Sequence, residues 1–442
     1  MKKLDALMLP EYVRQCMDAL ESHGFACYAV GGCVRDMLLG LTPQDYDLCT
    51  NALPEQIRTV FAEKRLILNG EKHGTVGVIT DGGVVEITTF RSEGDYTDSR
   101  HPGWVKYLDS IEADLARRDF TVNAMAYSPK RALVDPFGGQ QDLQNGILRA
   151  VGNPTARFTE DALRIVRGMR FAVRYQLTLQ DDTMEAMYAC ASLLEHIAKE
   201  RIFDELCKLL LRTTGEDLLR FSAILAQIIP GLAPTIGFAQ HSSHHLYDVF
   251  THTAYVTGGV EEELSLRWAA LLHDLGKVHT FTTDENGNGH FYGHAAVSAQ
   301  LADEILHRLK APTALREDVV FLIAQHMTPV LPERKRMRRQ LSKWGAERLQ
   351  KLLMLQKADF SGKGTVNEDF PFDETNALLQ ALLEENSCLS LKDLAVNGHD
   401  LMALGFSGEA VGQCLNWLLQ QVVEETLENE KAVLLTAVKN KK

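Results

Sequence analysis

The pattern of hydrophobic and polar positions divides the chain into two parts of different character. In the first part, short apolar runs alternate with helix-period runs and Gly-containing turns. The strand-like runs are Cys27–Val30, Thr75–Thr80 and Val84–Thr89, and the helical runs are Pro54–Glu63 and Leu108–Ala113. This alternation predicts a region that mixes strands and helices over about residues 25–150.

From about Phe158 to the end of the chain, helix-period patterns dominate. The predicted helices are Glu160–Tyr175, Asp182–Glu195, Phe203–Leu211, Leu264–His273, Ala295–Leu309 and Ala410–Glu428. Breaks in these patterns fall near 152–154, 230–241 and 361–372. We therefore predict the α+β class, with a small mixed-sheet head domain and an all-α remainder. The predicted domains are 1–150, 151–240, 241–362 and 363–442.

Composition narrows the class of protein. No apolar run reaches the roughly 18 residues needed to cross a bilayer, and Asp5 and Glu11 interrupt the N-terminal stretch that a signal peptide would need. The eight cysteines include no CxxC pair, which argues against a zinc ribbon or a disulfide framework. We predict a cytoplasmic protein with no membrane partner. The net charge of −13 excludes binding to nucleic acid through bulk positive charge.

The first candidate site combines a Gly-Gly turn with two aspartates. Gly31 and Gly32 follow a predicted strand and open a helix, where backbone N–H groups and the helix dipole can hold a phosphate. Arg35, one turn into that helix, can reach the same phosphates. Asp45 and Asp47 are two apart, so on a strand their carboxylates face one way, an arrangement that suits Mg²⁺. Each piece alone is a common turn or a solvated loop; together they predict a nucleoside triphosphate site.

Five motifs in order give the head and the following helices a resemblance to a known family. They are Gly31–Asp36 with Asp45-Tyr46-Asp47, Arg117–Ala124, Asp135–Gly139 with Asp142, Glu160–Arg167 and Lys199–Arg201. Over about residues 20–210 the chain resembles the class II tRNA nucleotidyltransferases, the CCA-adding enzymes of the DNA polymerase beta superfamily. The resemblance implies a polymerase-beta-like head and a helical neck. It also implies template-independent addition of CCA to the 3′ end of tRNA from CTP and ATP.

The same resemblance assigns roles to single residues. It implies that Asp45 and Asp47 hold the Mg²⁺ ions of an in-line two-metal transfer. It also implies that Arg118, Asp119 and Asn123 contact the ribose and the triphosphate, whereas a helix start with an ion pair is the alternative interpretation. A further carboxylate, in the strand-like run Val84–Thr89, is Glu86. It is predicted to be either a third carboxylate near the metals or an exposed edge residue.

The fourth motif is predicted to lie on one amphipathic helix that reads the base. Its apolar stripe consists of Ala162, Ile165, Val166 and Met169. Arg164 and Arg167 lie on the other side, and Asp161 pairs with Arg164 at i,i+3. A carboxylate that accepts from an exocyclic amino group, beside a guanidinium that donates to the ring, admits cytosine and adenine and rejects guanine and uracil. Asp161, Arg164 and Arg167 are thus predicted to bind the nucleotide; an ordinary surface salt bridge is the alternative.

The segment Arg91–Pro102 is a polar, Gly-containing stretch between the first two motifs. It resembles the flexible loop of full CCA-adding enzymes, which relatives that add only CC typically lack, together with adenine addition. The segment therefore favours complete CCA addition. A plain surface loop is the alternative interpretation.

A second set of candidate ligands lies in the helical middle of the chain. The pattern resembles HD-domain phosphohydrolases, with His252, His273, Asp274 and Asp359 at the four ligand positions. Imidazole and carboxylate ligands suit Mn, Fe, Ni or Zn better than Mg²⁺. Such a site would activate water against a phosphomonoester or a 2′,3′-cyclic phosphodiester. A degenerate scaffold is the alternative. His294 and His326 are either extra ligands of a second metal or ordinary polar residues.

Two further segments concern RNA. The basic run Glu333–Arg339 is either a phosphate track or a solvated helix face. The segment Val396–Gly408 resembles the family's C-terminal tail, which holds the tRNA elbow. We predict tRNA, CTP and ATP as partners, and the sequence leaves the oligomeric state open. The rival interpretations are a bacterial poly(A) polymerase, a phosphohydrolase with an RNA-binding head, and a non-catalytic tRNA-binding scaffold.

Overall fold

The computed structural model describes residues 7–93, 105–242, 246–364, 370–385 and 388–441. The chain forms two compact units, Met1–Arg212 with Ala223–Pro230, and Thr213–Ser222 with Gly231–Lys442. A mixed sheet lies in the first unit, and helices dominate the rest of the described chain, so the predicted α+β class is confirmed. No helix in the described ranges is both long enough and apolar enough to cross a membrane.

The sheet-containing part of the first unit covers the predicted head. Its strands are β1 (Cys27–Val30), β2 (Asp47–Thr50), β3 (Leu66–Ile67), β4 (Thr75–Thr80), β5 (Gly83–Thr89), β6 (Arg91–Glu93), β7 (Val105–Tyr107), β8 (Ala126–Ser128), β9 (Ala132–Val134) and β10 (Ile147–Leu148). Its helices are α1 (Glu11–Ser22), α2 (Gly32–Leu38), α3 (Pro54–Val60), α4 (Ile111–Ala116) and α5 (Gly139–Asn145). The strand predictions for β1 and β4 hold to the residue.

Helices follow in the rest of this region, with one short strand among them. They are α6 (Pro154–Glu160), α7 (Leu163–Arg174), α8 (Asp181–Ala189), α9 (Lys199–Leu210) and α11 (Ser222–Ile228), and the strand is β11 (Thr178–Leu179). Helix α10 (Gly215–Arg220) belongs to the second unit. Single 3₁₀ turns occur at Glu71–His73, Thr121–Asn123, Ala191–His196 and Pro230–Thr235.

Seven strands form the main sheet, in the order β3-β4-β5-β2-β1-β8-β9. Strands β2 and β5 are parallel and place Asp47 opposite Glu86. The other neighbouring pairs of this sheet are antiparallel. Because paired residues of adjacent strands point to the same face, the register alone brings these two carboxylates together.

Both faces of the sheet are covered by apolar side chains. Along β1, Cys27 and Ala29 join a core that contains Leu20 of α1, whereas Tyr28 and Val30 join a second core on the other face. Successive strand residues point to opposite faces, so a strand buried on both sides reads as a continuous apolar run. The buried sheet is the rigid base on which the turn after β1 and the start of β2 are held.

The predicted single helix over Glu160–Tyr175 is wrong. Helix α6 ends at Glu160, and the backbone of Asp161 is extended, with φ −147° and ψ 100°. The Asp161 side chain accepts a hydrogen bond from the N–H of Leu163 at the start of α7, 3.0 Å away. This bond satisfies one of the free N–H groups at a helix start, which is the preferred use of a short carboxylate side chain. Asp161 therefore begins a second helix instead of continuing the first.

The second unit is almost entirely helical. Its helices are α12 (Val249–Gly259), α13 (Leu264–Leu272), α14 (Lys277–Thr280), α15 (His294–Arg308), α16 (Thr313–Gln325), α17 (Arg334–Trp344), α18 (Ala346–Ser361), α19 (Phe372–Glu384), α20 (Gly398–Ala403), α21 (Glu409–Val423) and α22 (Lys431–Lys441). A short hairpin, β12 (Thr282–Thr283) with β13 (Gly289–His290), interrupts them. The C-terminal helices share a small apolar core that includes Leu401, Leu418 and Leu434.

Candidate functional site

One cleft of about 670 Å³ in the first unit brings together all eleven residues predicted for nucleotide and Mg²⁺ binding. We call it the arginine cleft, because its lining includes Arg35, Arg91, Arg117, Arg118, Arg164, Arg167, Arg170 and Arg201, against Asp45, Asp47, Asp119 and Asp161. The remaining lining residues are Gly31, Gly32, Asn123, Leu163 and Phe171. The protein as a whole is acidic, so this cationic lining is a local feature, and it suits a polyanionic ligand such as a triphosphate.

The Gly-Gly turn brings the backbone close to Arg118. Gly31 has a left-handed φ of 71°, and a Cβ on it would lie 2.7 Å from a terminal nitrogen of Arg118. The Gly31 N–H donates to the carbonyl of Met125, 3.1 Å away, so this particular N–H is not directed at a ligand. Because Gly31 has no side chain, it leaves room for the guanidinium of Arg118. That guanidinium also forms an ion pair with the buried carboxylate of Asp114, 3.3 Å away.

Three carboxylates meet where β2 begins. Both Asp45 and Asp47 line the cleft, although the strand starts only at Asp47. Removal from water, the carboxylate of Glu86 and, more weakly, that of Asp45 raise the pKa of Asp47 to about 6, while Arg118 opposes the shift. Glu86 is exposed and lies opposite Asp47, but its strand β5 is not at the edge of the sheet, so the interpretation as an edge residue is wrong and a role near the metals stays a prediction. Mutually repelling carboxylates of this kind fit a divalent cation with oxygen ligands.

Arg35 lies deeper than its predicted role requires. It is buried, and its guanidinium donates to Asp36 at 2.7 and 2.9 Å and also to Asn123 and to the hydroxyl of Tyr175. The ring of Tyr175 lies 4.2 Å from the guanidinium carbon. In this structure Arg35 thus supports the floor of the arginine cleft, and direct contact with a phosphate stays a prediction.

A buried ionic network fixes the second motif. The carboxylate of Asp119 accepts hydrogen bonds from the backbone N–H of Phe120 (2.8 Å), from the side-chain amide of Asn123 (3.0 Å) and from the guanidinium of Arg167 (2.7 and 2.8 Å). Burial disfavours the charged carboxylate, yet Arg167 and Asn123 outweigh it and lower the pKa of Asp119 to about 2. Arg167 also lies 4.0 Å from Glu205. The network holds three of the predicted nucleotide-binding residues, Asp119, Asn123 and Arg167, against one another.

The depressed pKa of Asp119 predicts a pH-dependent contribution to stability. A carboxylate with a folded-state pKa near 2 contributes about 2 kcal/mol above its unfolded pKa, and this is lost as the pH falls from about 5 to 2. We expect Asp119→Asn to lower the thermal unfolding midpoint at pH 7. The difference from the unmodified protein should shrink progressively towards pH 3. Thermal unfolding at several pH values, followed by circular dichroism, measures it. A difference independent of pH would contradict the assignment.

The predicted pair of Asp161 and Arg164 is not formed. Arg164 is buried and donates to Glu160 at 2.9 Å and to two backbone carbonyls, those of Arg157 and Arg117. The carboxylate of Asp161 instead accepts a hydrogen bond of 2.9 Å from the guanidinium of Arg201. The helix break at Asp161 is the reason, because the two residues no longer share one helical surface. Both side chains nevertheless line the arginine cleft, each fixed by its own partners.

Sequence reasoning missed several residues of the arginine cleft. Arg201 belongs to the motif Lys199–Arg201, which indicated its importance without indicating its partner. Phe171 follows the apolar pattern of α7 and looks like an ordinary core residue. In the structure, the guanidinium carbons of Arg167 and Arg170 lie 5.2 and 4.2 Å from its ring centre. Most of the segment Arg91–Pro102, which bears on adenine addition, lies outside the described residues, since the structure describes it only at Arg91–Glu93.

The second set of predicted ligands meets at one point in the second unit. The Nε2 atom of His252 lies 3.0 Å from Asp359 Oδ1 and 3.5 Å from Asp274 Oδ2. The Nε2 atom of His273 lies 3.2 Å from Asp274 Oδ2 and 3.8 Å from Asp359 Oδ1. Residues from α12, from the end of α13 and from α18 are thus brought together, as the sequence pattern predicts.

His294 and His326 join the same group. The Nε2 atom of His294 is 3.4 Å from Asp274 Oδ1 and 3.1 Å from the Nε2 atom of His326. We call the six residues His252, His273, Asp274, His294, His326 and Asp359 the histidine cluster. It offers two overlapping sets of three ligand atoms, each within 4.8 Å of one another, and both sets include Asp274.

The orientation of the imidazole rings fits a metal ion. Three Nδ1 atoms donate to backbone carbonyls three residues earlier: His273 to Ala270 (2.8 Å), His294 to Phe291 (2.8 Å) and His326 to Ile323 (2.7 Å). Their Nε2 atoms are left to present lone pairs to one another and to Asp274. Lone pairs this close repel unless a proton or a cation lies between them, and carbonyl-bonded imidazole is the usual arrangement behind a metal ligand. The nitrogen and carboxylate donors suit a transition metal.

The electrostatics of the histidine cluster are uneven. Burial opposes the charged form of His273, but the carboxylate of Asp274 outweighs it and raises the pKa of His273. Burial and the neighbouring His273 lower the pKa of His326 to about 4. Lys277 lies 2.7 Å from Asp274 Oδ2. At neutral pH the cluster therefore contains at least one neutral imidazole beside a charged carboxylate.

Two of the five cations in the basic run Glu333–Arg339 form contacts within the second unit. Arg334 donates to Glu385 at 2.6 and 2.9 Å and to Glu425 at 2.8 Å. Arg338 is buried and donates to the carbonyls of Val422 and Val423. These two arginines hold helices together, so a phosphate track could use only the remaining cations of the run.

Three family models match parts of the chain. The Poly A polymerase head domain matches residues 27–149. The probable RNA and SrmB-binding site of polymerase A matches residues 176–236. The putative tRNA nucleotidyltransferase domain 2 matches residues 280–438.

Comparison with individual proteins extends the match to the full chain. The CCA-adding enzyme of Levilactobacillus brevis is 34% identical over 97% of each chain. The CCA-adding enzyme of Geobacillus thermodenitrificans is 40% identical, but that alignment covers only 58% of this chain and 61% of the relative. Among solved structures, the Bacillus stearothermophilus CCA-adding enzyme in complex with CTP has a TM-score of 0.76 at 29% identity, and the match covers 98% of this chain and 99% of that one.

Proposed function

Since the chain belongs to the family of CCA-adding enzymes, we propose that it adds C, C and A in turn to the 3′ end of tRNA, using CTP and ATP. The observation that carries this proposal is the arginine cleft, where eleven residues predicted from separate motifs line one space. A cytoplasmic location stays a prediction.

The proposed reaction is an in-line nucleotidyl transfer. The oxygen of the tRNA 3′-hydroxyl bonds to the α-phosphorus of CTP or ATP, the bond from that phosphorus to the bridging oxygen breaks, and pyrophosphate leaves while the hydroxyl proton passes to solvent. Asp45 and Asp47 would hold Mg²⁺, which supplies a more acidic hydroxyl and neutralises the leaving group. Arg118, placed beside the Gly-Gly turn, would face the triphosphate.

Selection of the base is proposed for Asp161 and Arg164. Asp161 keeps acceptor capacity beyond the bonds from Leu163 and Arg201, because each carboxylate oxygen has more than one lone pair. Arg164 is oriented by Glu160 and two carbonyls. Side chains fixed in this way can reject guanine and uracil, which have a carbonyl where cytosine and adenine have an amino group. The carbonyl would leave the carboxylate without a donor, and an unsatisfied buried polar group costs free energy. The two residues would act from separate elements, not as a pair on one helix.

The test is nucleotide incorporation into a tRNA that lacks its CCA end. With labelled CTP and ATP, singly and together, in Mg²⁺, we expect two C residues, one A and then a stop. CTP alone should give two additions, and ATP alone should give none. Two C residues without A would limit the activity to CC addition. A long A tract would support the poly(A) polymerase rival, and no incorporation at all would refute the proposal.

The histidine cluster favours a second activity, hydrolysis of a phosphate ester. We propose that its residues bind a transition metal, of which Mn, Fe, Ni and Zn are candidates, and that the metal supplies a more acidic water. In the proposed step the oxygen of water bonds to the phosphorus of a 2′,3′-cyclic phosphate. The bond from phosphorus to one ribose oxygen then breaks, and that oxygen takes a proton. The expected result is a ring-opened monophosphate, detectable by ³¹P NMR or by release of inorganic phosphate after phosphatase treatment.

A further inference from the structure

We propose that His290 and Tyr292 form a stacking platform for the nucleobase of the terminal nucleotide whose phosphate reaches the histidine cluster. The inference rests on the proposed hydrolase function and adds to it a subsite for the base of the terminal nucleotide of an RNA. The observation is a parallel pair of rings that lines the same cavity as four residues of the cluster.

The geometry of the pair suits a third aromatic ring. The imidazole of His290 and the ring of Tyr292 are stacked, with centroids 5.4 Å apart and planes 9° from parallel. The side chain of Tyr292 is 79% exposed, more than that of any other Phe, Tyr or Trp in the described part of the chain. An exposed aromatic face beside a parallel neighbour is the arrangement on which bases stack in proteins that bind single-stranded RNA.

The His290 side of the platform is held in place by the hairpin of β12 and β13, and Tyr292 follows two residues later. In this hairpin Gly289 packs so closely that a Cβ would lie 2.2 Å from the carbonyl oxygen of Gln240. Asp284 closes the hairpin by accepting from the N–H groups of Asn286 and Asn288, each at 2.9 Å. The same carboxylate lies 3.3 Å from Nε2 of His290. A ring fixed from behind loses little freedom when a base stacks on it.

The platform and the histidine cluster share one cavity. A space of about 410 Å³ is lined by Asp274, His294, His326 and Asp359 of the cluster and by His290 and Tyr292. Its volume lies in the range of small-ligand sites. Only Gly293, with a left-handed φ of 79°, separates Tyr292 from His294, so the backbone between platform and cluster spans at most about 7 Å. That separation matches the reach of a single nucleotide from base to 3′-phosphate.

Two lysines balance the carboxylates Asp274 and Asp359 in the cavity, so a metal bound by those carboxylates would favour a phosphate there. Lys277 and Lys363 both line it. Lys277 is buried and held by Asp274 at 2.7 Å and by Gln240 at 2.8 Å, so it is fixed near the carboxylate, whereas Lys363 is only half-buried. Met327, 59% exposed, adds apolar surface to the lining. Apolar surface together with cations and candidate metal ligands is complementary to a nucleotide and not to a simple phosphate.

The test compares substrates with and without a base. In full-length protein loaded with Mn²⁺ or Ni²⁺, we expect adenosine 2′,3′-cyclic phosphate to have a KM about 10-fold lower than methyl riboside 2′,3′-cyclic phosphate, which lacks a base. Tyr292→Ala should abolish this preference by raising the nucleoside KM, with a smaller effect on kcat. Tyr292→Phe should keep it. A tRNA fragment with a cyclic end, run beside the mononucleoside, shows whether the platform serves RNA ends or free nucleotides equally.

A second measurement separates the platform from the hydrolase. Adenosine 3′-monophosphate should slow amide hydrogen exchange over residues 282–293 in the unmodified protein and in Tyr292→Phe, but not in Tyr292→Ala. Protection without any turnover would leave the platform standing and refute the hydrolase. The platform would be overturned if the unmodified protein hydrolysed substrates with and without a base at equal KM and Tyr292→Ala gave the same values. Equal KM values for RNA ends and mononucleosides would overturn the assignment to RNA.

Discussion

Replacing Asp47 with asparagine is expected to abolish nucleotide incorporation without destabilising the protein. The change removes a carboxylate proposed to hold Mg²⁺, and the several kcal/mol that a metal ion supplies to a charged transition state correspond to a loss of about 10³-fold in rate. Folding should not suffer, because Asp47 is repelled by Glu86 and Asp45 in the metal-free protein. The unfolding midpoint in metal-free buffer should therefore stay constant or rise.

The matched control for Asp47→Asn is Asp81→Asn. Asp81 is an exposed carboxylate at the turn between β4 and β5 of the same sheet. The control should retain normal incorporation and a normal unfolding midpoint. Incorporation is measured as initial rates with CTP on a tRNA lacking its CCA end, at saturating Mg²⁺. An Asp47→Asn variant with more than a tenth of normal activity would show that this carboxylate is not needed for the transfer.

The fold class and several strands could be predicted from the sequence more completely than the pairing of side chains. The sequence pattern located β1 and β4 to the residue, and β1 reads as a continuous apolar run because it is buried on both faces. The predicted pairing of Asp161 with Arg164 was wrong, because the helical pattern of the sequence continues across the extended backbone of Asp161, where the structure has a break. A carboxylate that can begin a helix and one that lies within a helix look the same in one sequence.

Hydrogen-bond partners that lie far apart in the sequence could not be predicted, for a related reason. Nothing near Arg35 indicates that Tyr175, 140 residues later, will accept from its guanidinium. The histidine cluster is an instructive contrast. His252, His273, Asp274 and Asp359 could be selected from their pattern, but the place of His294 and His326 beside Asp274 depends on how α15 and α16 pack. Chemistry-bearing residues can be recognised locally, whereas their partners depend on tertiary packing.

Asp274→Asn is expected to remove metal binding and hydrolysis from the histidine cluster while leaving nucleotide incorporation intact. Asp274 is the one member common to both candidate sets of ligands, so its loss should affect either metal position. Measured by elemental analysis after dialysis, the bound metal should fall from one or two equivalents to below about a tenth. Hydrolysis of a nucleoside 2′,3′-cyclic phosphate should fall by about 10³-fold.

Thermal unfolding gives a readout for this variant that does not depend on activity. A metal that binds only the folded state at 100 times its Kd stabilises it by about 2.7 kcal/mol, so added Mn²⁺ or Ni²⁺ should raise the midpoint of the unmodified protein but not that of Asp274→Asn. The metal-free variant should also be less stable, because the buried Lys277 loses its carboxylate.

A second variant and a control keep the experiment decisive if Asp274→Asn folds poorly. Asp359→Asn leaves Lys277 and Asp274 paired, and its side chain is partly exposed, so it should fold normally and lose the metal held beside His252. Asp303→Asn, a half-exposed carboxylate on α15 that pairs with Arg316, should keep metal, hydrolysis and incorporation. Retention of a full equivalent of metal by both cluster variants would mean that the six residues are held together by protons and hydrogen bonds, and the hydrolase proposal would then fail with them.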